Sequence, residues 1–99
     1  MIIELDENNF EEQTSKGLKL VDFSAQWCVY CKMLKPVLSE LDKIWIGEVD
    51  GDKSPSLARK FNVSGYPTIV FLKDGKEVDR LIGFHPKENI MDKIMKHLK

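Results

Sequence analysis

Leu18-Lys19-Leu20-Val21-Asp22-Phe23-Ser24-Ala25-Gln26-Trp27-Cys28-Val29-Tyr30-Cys31-Lys32 contains the change of pattern on which the fold turns. Leu18 to Ser24 is dense in apolar residues, as in a strand near the middle of a sheet with both faces covered. One acid, Asp22, interrupts it. From Cys28 the spacing changes. Cys31, Leu34, Leu38 and Leu41 recur at steps of three and four, the period of one helix face. Pro36 lies inside this run and predicts a kink there. The chain's only two cysteines, Cys28 and Cys31, therefore stand where a buried strand hands over to a helix.

Working outward, Ile44 to Val49 reads as a second strand. Ser54-Pro55 marks a helix start, a capping residue followed by proline at the first helical position, with the helix running from Ser56 to Phe61. Thr68 to Lys73 and Glu77 to Ile82 flank Asp74-Gly75, a hairpin signature. A last helix begins near Pro86 and sets Ile90, Ile94 and Leu98 on one stripe, with Met91 and Met95 beside it. Toward the N-terminus, Ile2 to Leu5 is a weak strand. Asp6 to Gln13 is a helix with Asn8 as cap, Glu11 completing a capping box, and Gly17 ending it. Strands alternating with helices call for parallel βαβ units. The expected architecture is α/β: a central mixed five-stranded sheet, three parallel strands plus a C-terminal antiparallel hairpin, with four helices on its two faces. Trp45 is expected in the core.

The 99 residues fit one domain, 1–99. With 15 Lys+Arg against 16 Asp+Glu the net charge is −1, against the basic excess of a nucleic-acid binder. No apolar run approaches the ~18–20 residues that span a bilayer. The N-terminus lacks the basic and apolar regions of a signal peptide. A cytoplasmic monomer is the expectation, in a compartment where thiols stay mostly reduced.

The cysteines need a chemical reason, because a bridge between them closes only a tiny loop and restricts the unfolded chain little. A helix N-terminus has unpaired N–H groups and the positive end of the dipole, which favour a thiolate at Cys28. Cys31, one turn on, is within reach to resolve a mixed disulfide. Two other readings stand beside this one. A structural zinc site needs four ligands, and beyond the pair only His85 and His97 offer nitrogen. Two inert buried thiols are the other. Asp22 is either an acid at a sheet edge or a buried one, whose pKa burial raises toward the range useful for proton transfer.

The run Val21 to Lys32, then Pro36, Gly65-Tyr66-Pro67-Thr68, Asp74-Gly75 and Gly83, resembles the thioredoxin family over essentially the whole chain. The resemblance implies the thioredoxin fold and a reversible dithiol–disulfide cycle with no cofactor beyond the disulfide. It implies thioredoxin reductase as electron donor, and protein substrates such as ribonucleotide reductase, peroxiredoxin or methionine sulfoxide reductase. Cys28 resembles the attacking cysteine, Cys31 the resolving one, and Asp22 the carboxylate that relays a proton for it. Pro67 resembles the family's cis-proline facing the disulfide, with the Tyr66 backbone free to pair with an extended substrate and Gly83 nearby. Trp27 resembles the surface tryptophan of the binding patch, which Val29 and Tyr30 extend.

Three features depart from the family. Val29-Tyr30 replaces Gly-Pro, and the Tyr30 N–H is an added donor near Cys28 that predicts a weaker reductant. Glu48, counting back without gaps from Pro67, stands where the family commonly has a lysine beside the buried aspartate. Two facing acids predict coupled titration, and Glu48 and Lys32 are expected to modulate the site. Ser24 replaces an aromatic. Cys-x-Tyr-Cys also echoes glutaredoxin, though the rest of the chain does not. A disulfide oxidase or isomerase, a glutathione-dependent reductase and a non-catalytic binding subunit remain as alternatives.

Overall fold

A computed structural model describes residues 1–98. The elements are β1 Ile2–Leu5, α1 Phe10–Thr14, β2 Leu18–Ser24, α2 Val29–Ser39, β3 Ile46–Asp50, α3 Pro55–Lys60, β4 Thr68–Lys73, β5 Lys76–Ile82 and α4 Lys87–His97. The strands form one sheet in the order β1-β3-β2-β4-β5. β1 and β2 both run parallel to β3. β4 lies antiparallel to β2 and β5. This is the expected mixed sheet, with β2 at its centre.

The alternation along β2 divides the core. Leu20 packs with Ile46, Ile69 and Phe71 against Leu34 and Leu38 of α2 and Ile90 and Ile94 of α4. Val21 and Phe23 belong to the second cluster, packing with Val49, Val70 and Leu72 against Phe10 of α1 and Leu57 and Ala58 of α3. Each fully buried side chain of this size contributes about 1.5–3 kcal/mol. By the period-two rule Asp22 lies on the Leu20 face, beneath α2. Asp74 and Gly75 join β4 to β5 with positive φ of 52° and 84°, the backbone of a type I′ hairpin.

Several boundaries move, each for a local reason. The first helix begins at Phe10, not Asp6. The Asp6 carboxylate accepts the Asn8 and Asn9 N–H groups at 2.8 and 3.2 Å, an Asx turn that delays the helix. Asn9 takes the N-cap place, and its side chain bonds the backbone of Glu4 and Asp6 instead of the first turn. The Asn8–Glu11 capping box is therefore absent. β3 starts at Ile46, two residues later than expected, because Ile44 N–H closes a turn onto Leu41 C=O. Leu98 is not in the core: it caps α4 and is 57% exposed. Trp45 is half-buried against the second cluster, with Lys19 Nζ 4.7 Å from its ring centre.

Candidate active site

Cys28 and Cys31 are joined as a disulfide with Cα atoms 5.2 Å apart. Cys28 is the N-cap of α2 in extended conformation, and the Cys31 N–H donates to its Sγ at 3.2 Å. This donor sits one residue beyond the Tyr30 N–H that the sequence suggested. Both cysteines are buried with Ala25, and Tyr66 packs against this cluster. The histidines are engaged elsewhere, His85 with Ile82 and Asn89 and His97 with Asp79. Among the described residues no group of three or more His, Cys, Asp or Glu is placed to hold a metal ion.

The second half of the site comes from loops far away in the chain. The Tyr66–Pro67 bond is cis. Gly83, with φ of +83°, donates its N–H to Pro67 C=O at 2.8 Å, which ties the end of β5 to the proline. Trp27 is 67% exposed, stands edge-on to Tyr66 at 6.1 Å, and donates Nε1–H to Asp52 Oδ2 at 2.7 Å. Val29 and Tyr30 are exposed at the start of α2, with Met33, Ile82 and Phe84 also presenting apolar surface. Tyr66 thus links the cysteines to Trp27 on one side and, through Pro67, to Gly83 on the other. Lys32 is exposed beside Cys31.

Asp22 is 1% exposed, and its Oδ1 is a buried oxygen with no hydrogen-bond partner among the described residues. Its register partner on β3 is Glu48. Burial, then the charge of Glu48, push the Asp22 carboxyl up to about 7, while Lys35 pulls in the opposite direction. A group titrating there can hold a proton or release it near neutral pH. An open cleft of about 720 Å³ adjoins these groups, with Ser24, Cys31, Lys32, Lys35 and Glu48 in its lining.

Three contributors escaped the sequence. Asp52 holds the Trp27 ring. Lys35 lies 3.8 Å from Glu48, and its place four residues after Cys31 on the same helix side was a readable signal. Gly51 is the third, since a Cβ there would overlap the Tyr66 hydroxyl. Gly51→Ala is expected to push Tyr66 off the cysteines and destabilise the protein by about 1–3 kcal/mol. Urea denaturation gives the energy, and altered Trp27 fluorescence reports the displaced ring.

The thioredoxin family model matches residues 1–96. The chain is 46% identical to thioredoxin of Staphylococcus haemolyticus, covering 98% of each chain. To Staphylococcus aureus thioredoxin it is 41% identical, again over 98% of each. Among solved structures, a point-mutant thioredoxin of Halobacterium salinarum superposes with a TM-score of 0.92 at 26% identity, covering 99% of this chain and 91% of that one. With its cysteine pair at a helix N-terminus on this sheet, the chain belongs to the thioredoxin family of protein disulfide reductases.

Proposed function

We propose that Cys28-Val29-Tyr30-Cys31 is the working redox centre, with Cys28 attacking a substrate disulfide and Cys31 resolving the intermediate. The observation that carries this is the Cys31 N–H on Cys28 Sγ at the first turn of α2. That donor and the positive helix end stabilise a thiolate on Cys28. Asp22 serves as proton donor and acceptor for Cys31 from beneath the helix. Glu48 modulates it, and Lys32 adds positive charge beside the pair. Residues 1–99 act as one domain.

Thioredoxin reductase supplies the electrons, and ribonucleotide reductase, peroxiredoxin and methionine sulfoxide reductase are the substrate classes to test first. A dithiol that must return to the reduced state suits the cytosol. Among the described residues no helix is long and apolar enough to cross a membrane.

Substrates dock on the apolar surface around the sulfurs, with Trp27 as its largest exposed ring and the Tyr66 backbone, between Pro67 and Gly83 on one side and Trp27 on the other, pairing with an extended segment. Trp27→Ala is expected to lower kcat/KM for a protein disulfide by about tenfold, mainly through KM, as loss of an exposed docking tryptophan does. Reduction of a small aromatic disulfide, which needs little docking surface, should change far less. Equal losses on the two substrates would remove Trp27 from the docking role.

A further inference from the structure

Lys35 and Glu48 form an ion pair at the sheet face that carries buried Asp22. Asp22 and Glu48 are register partners on neighbouring parallel strands, so they project from the same face of the sheet. Across that face runs α2, where Lys35 follows Cys31 by one turn on the same side. Lys35 Nζ lies 3.8 Å from Glu48 Oε1. The cleft lining includes Cys31, Lys35 and Glu48 but not Asp22. Asp22 is 1% exposed, and its Oδ1 is buried without a hydrogen-bond partner among the described residues. The Glu48 side chain is 22% exposed and meets both environments. On the far side of Glu48, β1 sets exposed Glu4 as its register partner, lining the same cleft. The cleft also holds Asp6, Glu7, Lys32, Asp50 and Lys53, while on the core side β4 sets Ile69 opposite Asp22 and α4 adds Ile90 and Ile94 to the same cluster.

We propose that Glu48 is the group through which Asp22 exchanges its proton with solvent, and that Lys35 is a positioning residue holding Glu48 at the mouth of the cleft. This rests on the reading of Asp22 as the proton donor and acceptor for Cys31. In the outward step the Asp22 O–H bond breaks as an O–H bond forms on the Glu48 carboxylate. Glu48 then gives that proton to water or to a buffer base in the cleft, and no electrons move. The inward step is the reverse. The Lys35 cation attracts the Glu48 carboxylate and draws it away from Glu4, so that it returns to one place between transfers.

The test is the pH–rate profile for protein-disulfide reduction driven by dithiothreitol, first at low buffer concentration and then with added imidazole. Glu48→Gln is expected to be about tenfold slower at low buffer, and to recover as imidazole rises and a diffusing base replaces the missing carboxylate. Its profile midpoint should move down, since the Glu48 charge raises Asp22. Lys35→Met changes a side chain that is 59% exposed, so folding is not at stake. Its midpoint should move up and its low-buffer rate should fall, with Lys35→Arg restoring both. If both neutral variants keep wild-type rates and midpoints while Asp22→Asn is slow, the proton leaves by another path and the proposal is overturned with the role of Asp22 intact. If Asp22→Asn itself runs at the wild-type rate throughout, both readings fall together.

Discussion

Dithiothreitol-driven reduction of insulin is expected to fall to background when either cysteine becomes serine, with the two variants failing in different ways. The cycle has two exchanges. In the proposed cycle the Cys28 thiolate attacks one sulfur of the substrate disulfide, forming a mixed disulfide and releasing a substrate thiolate. On that proposal Cys31 then attacks Cys28 Sγ, releasing the second substrate thiolate and closing the Cys28–Cys31 disulfide. Two electrons pass to the substrate. Cys28→Ser would remove the proposed nucleophile, since a serine hydroxyl, unlike a thiol, does not ionise near neutral pH. The rate should drop by roughly a thousandfold or more, to the background of dithiothreitol alone. Cys31→Ser keeps the attack and loses the resolution. It should show the same loss of turnover with a covalent substrate adduct, seen as added mass that dithiothreitol removes. Turnover retained in Cys31→Ser would mean a one-thiol, glutaredoxin-like mechanism. An unchanged rate in both variants would leave only a binding role for this surface. Both chains should fold, because the bridge spans a sequence separation of three and so constrains the unfolded state little.

Asp22→Asn is expected to make the oxidised protein more stable at pH 8 and to leave it little changed at pH 4. The sign follows from proton binding. The folded state holds the Asp22 proton up to about 7, and the ordinary value is 3.8. Between those values the folded state binds the extra proton, so stability falls as pH rises. Above the upper value the loss is complete, and below the lower one it is absent. The span corresponds to about 4 kcal/mol at ~1.4 kcal/mol per unit, an upper figure for a carboxylate forced to ionise under α2. Asn keeps the shape and removes the charge. Urea denaturation of both proteins from pH 4 to 8 should show curves that separate through this window and run parallel above it. Curves parallel throughout would remove the burial argument.

Asp79 acts in the opposite sense, at lower pH. Burial alone would raise its carboxyl. Hydrogen bonds from His97 and Lys93 and from the Arg80 N–H outweigh this and hold it at about 2. Its contribution is present at neutral pH and is lost as pH falls through that value. It is common to both proteins and cancels.

Much of this was readable along the chain. The period-two and period-3.6 patterns placed β2, α2, β4 and β5 within a residue or two, because alternate burial repeats over neighbouring residues. Asp74-Gly75 declared its turn because few residues accept positive φ twice in succession. The start of α1 was misplaced because two signals, Asn8 with Glu11 and Asp6, compete within one turn of chain, and side-chain bonds to the local backbone decided between them. Leu98 fits the apolar stripe but lies past the last turn that α4 presses on the sheet.

The sequence by itself determined the fold, the junction of strand and helix, and the identity of the two sulfurs. Those features depend on periodicity and on chemistry confined to a few consecutive residues. Local geometry at the start of α2 decided which N–H meets Cys28 Sγ, and tertiary structure decided that Gly51 yields space to Tyr66, that Asp52 holds Trp27, and that Lys35 pairs with Glu48. Most of these depend on residues from different elements meeting across a packed face. Their relative placement comes from sheet order and helix docking, which no local pattern encodes.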